Sequence, residues 1–199
     1  MRYDTEHKER TRKRVLREAA NAIRAEGPDR IGVAGLMAKA GLTHGGFYAH
    51  FKSKDDLIAQ AITQMFDDRY EHWVERMKDL EPGAALDEFV DGYLSIRHRD
   101  DAEHGCPLPT LSGELARMTD PARLRFFEGG DRMTKLVAML LKRQGIASAH
   151  DLALSIVSEM VGAVAVSRAM TEPARSNRIL KASRDAIKAR IADRRGTAQ

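Results

Sequence analysis

Thr43, His44, Gly45, Gly46, Tyr48 and His50 fall within eight residues, and Lys54 follows four positions later. Hydroxyl, imidazole and ammonium groups in one short stretch suit hydrogen bonding to phosphates and base edges. Two adjacent glycines remove side chains where a backbone would have to approach a polyanion closely. Tyr48 is equally compatible with a half-buried packing tyrosine. Arg10, Arg12, Lys13 and Arg14 suit either the flank of the same surface or a solvated helix face.

Cys106, in His104-Gly105-Cys106-Pro107-Leu108, is the second chemical candidate. A thiol beside a helix start tends toward a lower pKa, so one reading is a sensing thiol and the other a buried, inert small residue. Catalysis would need His98 or His104 as base, yet no acid or oxyanion partner can be assigned. The same three residues have poor spacing for tetrahedral zinc. The expectation is a protein that is no enzyme and holds no metal and no cofactor. One cysteine in 199 residues forms no internal disulfide, and the charged first seventeen residues lack a secretory apolar stretch. With no run of eighteen uncharged apolar residues either, a cytoplasmic protein without a membrane partner is expected.

Charge placement points the same way as the first group of residues. Residues 1–54 hold 12 Lys and Arg against 6 Asp and Glu, whereas residues 55–199 hold 21 against 23. A basic end on a nearly neutral body fits a polyanion-binding module, because Lys and Arg displace counterions from phosphates. A solvated basic helix face gives the same count.

The elements that position these residues are helical throughout. Val15, Leu16, Ala19, Ala20 and Ile23 recur at helical spacing within 8–26, and Gly27-Pro28 ends that helix. Ile31 to Ala40 predicts a short second helix with Gly41 as a left-handed cap. Thr43 can cap a third helix, 43–51, with Phe47 and Phe51 on one face. Ser53 and Asp56 resemble a capping box opening a long helix to Met77. Further helices are predicted over 84–99, 108–117, 121–144, 151–170 and 176–194, with no strand pattern and no repeat. The helix after Asp151 is apolar almost all round, so it is either a central core helix or one side of a dimer interface shared with the last helix.

The stretch Val33 to Leu57, VAGLMAKAGLTHGGFYAHFKSKDDL, closely resembles the DNA-binding signature of the TetR/AcrR family of regulators, and the likeness covers about residues 8–65. The resemblance implies an all-α protein with a three-helix helix-turn-helix DNA-binding domain at 1–53. A helical ligand-binding and dimerisation domain would occupy 54–199. It implies DNA contacts from Thr43, His44, Gly45, Gly46, Tyr48, His50 and Lys54, and a homodimer through the last two helices on palindromic double-stranded DNA. Repression would be relieved by a small-molecule effector.

An effector pocket among the later helices could be lined by Trp73, Tyr93, Phe126, Phe127, Met133 and Met160, although the same residues read as plain core. Gly105-Cys106 is similar to a pair in a subgroup in which some members respond to electrophiles or oxidants through a cysteine, which adds Cys106 to that list. The competing reading is an architectural protein that binds DNA with little sequence preference.

Overall fold

The computed structural model describes residues 2–196, with side chains described for 6–43 and 45–195. It is helical, without strands among the described residues. In chain order the helices are α1 (Arg2–Glu26), α2 (Val33–Lys39), α3 (Lys54–Met77), α4 (Pro82–Tyr93) and α5 (Ile96–Asp100). They continue with α6 (Pro107–Leu111), α7 (Asp120–Lys142), α8 (Ala149–Ala169) and α9 (Pro173–Gly196). Short 3-10 turns occupy His44–Ala49 and Leu115–Arg117.

Two predicted helices are divided. The 84–99 segment breaks after Tyr93 because the Ser95 hydroxyl accepts the His98 N–H at 3.1 Å and so starts α5 afresh. The 108–117 segment is α6 followed by a 3-10 turn. The third helix is likewise 3-10, and Thr43 precedes it without a side-chain capping bond, contrary to its expected capping role.

The chain forms two compact units. The first joins residues 1–68 with 102–129. In it the apolar face of α1 packs with Leu36, Met37, Phe47 and Phe51, and α6 also lies against α1. The Phe66 and Phe126 rings meet edge to face at 5.7 Å. Gly129 sits so close to Phe66 that an added Cβ would lie 2.1 Å from the ring.

The second unit joins residues 69–101 with 130–199. Trp73 packs on Phe89 at 4.8 Å, Phe89 on Tyr93, and Tyr93 on His98. Arg168 of α8 donates to the carbonyls of His98 and Arg99, satisfying the end of α5, while Arg99 donates to Ser176 and Asn177 of α9. α8 and α9 pack along each other, and Lys188 of α9 pairs with Asp91 of α4 at 2.7 Å. By length and composition alone α8 could cross a membrane, but one side of it, including Ile156, Met160 and Val164, is buried inside this unit.

Candidate nucleic-acid interface

The approach to the site is set by a turn. α2 ends in a Schellman motif: Gly41 adopts φ +68°, its N–H bonds Ala38, and the Leu42 N–H bonds Met37 at 2.9 Å. A residue with a Cβ would resist that left-handed backbone. The chain leaves in extended form through Thr43 and re-enters as the 3-10 turn; the rings of its Phe47 and of Phe51, two residues past its end, lie 5.6 Å apart in the core.

With those rings anchored inward, the opposite side faces solvent. Tyr48 is 72% exposed, its ring meeting that of Phe47 edge to face, so the half-buried packing reading does not hold for it. Thr43 and Gly45 are exposed and Gly46 is half-buried. An added Cβ at Gly45 would meet nothing within 4 Å, and one at Gly46 would make only ordinary contacts with Met37 and Thr43. Nothing within the fold therefore demands glycine at these two positions. His44 begins the turn, and its side chain lies outside the described residues.

His50 closes the turn. Its Nδ1 is enclosed and meets no hydrogen-bonding partner, and burial, with Lys8 and Arg12 nearby, holds its pKa below the usual histidine value. The lowered pKa favours the neutral ring, which can use one nitrogen as donor and the other as acceptor.

Lys54 opens α3, where its charge adds to the positive end of the helix. Its Nζ donates to the Asp29 carbonyl at 3.3 Å, which steadies the ammonium against the turn before α2. The start of α3 is capped as the sequence suggests: the Asp56 N–H bonds the Ser53 hydroxyl at 3.1 Å. The Asp56 carboxylate accepts from the Lys52 N–H, one residue before the position a standard capping box would use. Burial would raise the Asp56 pKa. The Lys52 N–H, the Gln60 amide and the Lys52 and Arg12 charges outweigh it and keep the carboxylate ionised.

Sequence reasoning missed the part played by Arg12. It sits over the Phe51 ring at 5.5 Å and bonds Gln60 of α3, so it fastens α1 to α3 and does not lie open at the flank. An Arg one turn before the Val15-Leu16 core pair was the available signal. Arg10, Lys13, Arg14 and Arg17 remain exposed.

The residues suggested for an effector pocket divide. Trp73, Tyr93, Met133 and Met160 are buried in the second unit, while Cys106 and Phe126 are buried in the first. Phe127 is 69% exposed, contrary to its expected place on a pocket wall: Phe126 takes the inward position of α7, and the next residue points about 100° away. Cys106 precedes α6 with no exposed surface. Among the described residues no group of three His, Cys, Asp or Glu side chains has the arrangement of a metal site.

The model for bacterial regulatory proteins of the tetR family matches residues 15–61, and that for the C-terminal domain of LmrA/YxaF-like transcriptional regulators matches residues 82–182. No curated protein matches the chain. Among solved structures, the reduced form of Escherichia coli NemR superposes with a TM-score of 0.79 at 17% identity, over 90% of this chain and 95% of that one. A TetR transcriptional regulator from Chloroflexus aurantiacus gives 0.79 at 23% identity, over 94% and 96%. A transcriptional regulator from Saccharomonospora viridis in complex with choline gives 0.74 at 17% identity, over 90% and 96%. At these identities the structural likeness speaks to the fold.

Proposed function

The chain belongs to the TetR family of bacterial transcriptional regulators, and from that premise we propose that it is a sequence-specific repressor, released from a palindromic operator by a small-molecule or thiol-reactive signal. DNA binding is assigned to residues 1–53, and signal reception and dimerisation to 54–199.

The observation that carries this reading is the exposed edge of the 3-10 turn. Tyr48 is largely bare, and Gly45 has open space where a side chain would fit, in a segment whose own fold requires neither feature. Thr43, Tyr48 and the partly exposed His50 are then assigned to base edges or phosphates, and Lys54 to a phosphate at the positive end of α3.

Dimerisation through α8 and α9 is supported by the side of α8 that α9 leaves open. Leu154 and Val166 are about half exposed, and Gly162 between them would let a second helix come close. On α9 itself an open groove is lined by Ile179, Ala182 and Arg178. Two-fold pairing would place two heads on half-sites about one helical turn, or a multiple, apart.

On the signal side, Cys106 lies in the same compact unit as the DNA-binding helices, and α6, which it precedes, packs on α1. A reagent reaches this buried thiol only if the segment opens, and an adduct there would disturb the packing around the start of α6.

The test is selection of bound duplexes from a random pool by the purified protein, alongside Tyr48→Ala. Recovery of one palindrome, lost in the variant, supports the specific repressor. Enrichment of no sequence would overturn it in favour of low-specificity binding.

A further inference from the structure

Lys54 is drawn toward the loop before α2 by the Asp29 carbonyl, whereas His50, which closes the 3-10 turn, is set beside α1. Two cations of α1, Lys8 and Arg12, act on the His50 ring, whose Nδ1 is enclosed without a hydrogen-bonding partner. The two stand one helical turn apart on α1, so their charges also repel each other.

The fold answers one of these charges and leaves the other. Arg12 lies over the Phe51 ring at 5.5 Å, bonds Gln60, and has the Asp56 carboxylate of α3 near enough to feel its charge. Asp56 in turn is engaged by the Lys52 N–H at 2.9 Å and the Gln60 amide at 2.8 Å. Lys8 is exposed, and among the described residues no carboxylate pairs with it. An exposed ammonium alone says little. What distinguishes Lys8 is its place, with a like charge one turn away and an imidazole at the end of the turn that carries Tyr48. Positive potential left unopposed at such a spot is relieved by an outside anion.

We propose that Lys8 holds a DNA phosphate, so that α1 engages one backbone strand while Lys54 engages the other. The inference rests on the DNA-binding reading of the 3-10 turn and adds a contact from α1 to it. An element that reads base edges in the major groove has a phosphate strand on either side. Lys54, beside the loop before α2, serves one strand, and Lys8, beside the end of the turn at His50, serves the second. A lysine ammonium is a point charge that donates to any phosphate oxygen, so the contact is independent of sequence.

Fluorescence anisotropy of the full-length protein across a salt series tests it, on the duplex recovered by selection and on a scrambled duplex of equal length. The variants are Lys8→Ala, Lys8→Arg and Lys13→Ala, with circular dichroism to check that each folds. Lys13 is the control: it too is an exposed cation without an ion pair among the described residues, but it points about 140° away from Lys8 around α1. Lys8→Ala is expected to lower the slope of log affinity against log salt by about one, and to weaken binding by the same factor on the two duplexes. Lys8→Arg should restore the slope and Lys13→Ala should leave it as in the wild type. An unchanged slope in Lys8→Ala overturns the proposal, as does an equal fall in Lys13→Ala, which would trace the effect to net charge. Loss confined to the selected duplex would make Lys8 a base contact and overturn it too. A wild type that binds neither duplex would bring down the DNA-binding reading itself, and this proposal with it.

Discussion

At the scale of the residue, exposure separates side chains the fold uses from those it leaves available. Tyr48 does little packing, so replacing it with Ala should change stability by no more than about 0.5 kcal/mol, whereas Lys54→Ala also loses the bond to the Asp29 carbonyl and should cost up to about 1 kcal/mol. On DNA the two should differ. Lys54→Ala should lower the slope of log affinity against log salt by about one, measured by fluorescence anisotropy on a fixed duplex, because one phosphate contact is lost. An unchanged slope would remove Lys54 from the contact set.

His98 titrates in the protein's own stability. Its Nδ1–H donates to the Tyr93 carbonyl at 2.7 Å, and burial drives its pKa down from 6.5 to about 4. Above pH 6.5 the ring is neutral in both folded and unfolded chains and contributes no pH dependence. Between 6.5 and about 4 only the unfolded chain takes up the proton, so stability falls as pH falls, by on the order of 3 kcal/mol in all. Urea midpoints at pH 7 and pH 4.5 should therefore differ less for His98→Phe than for the wild type. An equal difference in the two proteins would show that His98 is not the titrating group.

At the scale of the element, glycine separates packing from function. An Ala in mid-helix normally stabilises by up to about 1 kcal/mol relative to Gly. At Gly129 that gain is overridden, because the new methyl would meet the Phe66 ring, itself held against Phe126. The expected outcome for Gly129→Ala is a net loss of about 1–3 kcal/mol in urea denaturation. Gly45→Ala meets open space, so its stability should hold while operator affinity falls. Stability and affinity both unchanged at Gly45 would argue against close backbone approach to DNA there.

Helix positions were readable from apolar spacing, but the breaks were not. The division of 84–99 depends on a serine cap and on Arg168 reaching back from α8. The 3-10 form of the 44–49 turn likewise depends on where Phe47 and Phe51 must point. Spacing reports which face is apolar and says nothing of partners dozens of residues away.

At the scale of the whole molecule, the proposed pairing through α8 can be tested. Leu154, Gly162 and Val166 lie on the part of the helix that its own unit leaves uncovered, and Leu154→Arg would set a charge in the middle of any pairing with a second α8. Light scattering should show this variant shifted from dimer to monomer, with weaker binding to a two-half-site duplex than the wild type and little change in helix content. A variant that remains dimeric would move the interface elsewhere.

The sequence by itself determined the class of the protein: helices from periodicity, a basic head from charge placement, and the family from the Val33–Leu57 motif. These are local properties, carried by residues within a few turns of one another. Only the tertiary structure decided which members of each apolar or basic set are used internally. Arg12 is spent on Phe51 and Gln60, Phe127 faces outward where its neighbour Phe126 faces in, and Cys106 is closed off from solvent. Residue type fixes what a side chain can do, whereas its surroundings, assembled from distant segments, fix whether water, a neighbouring ring or an outside ligand is there to meet it.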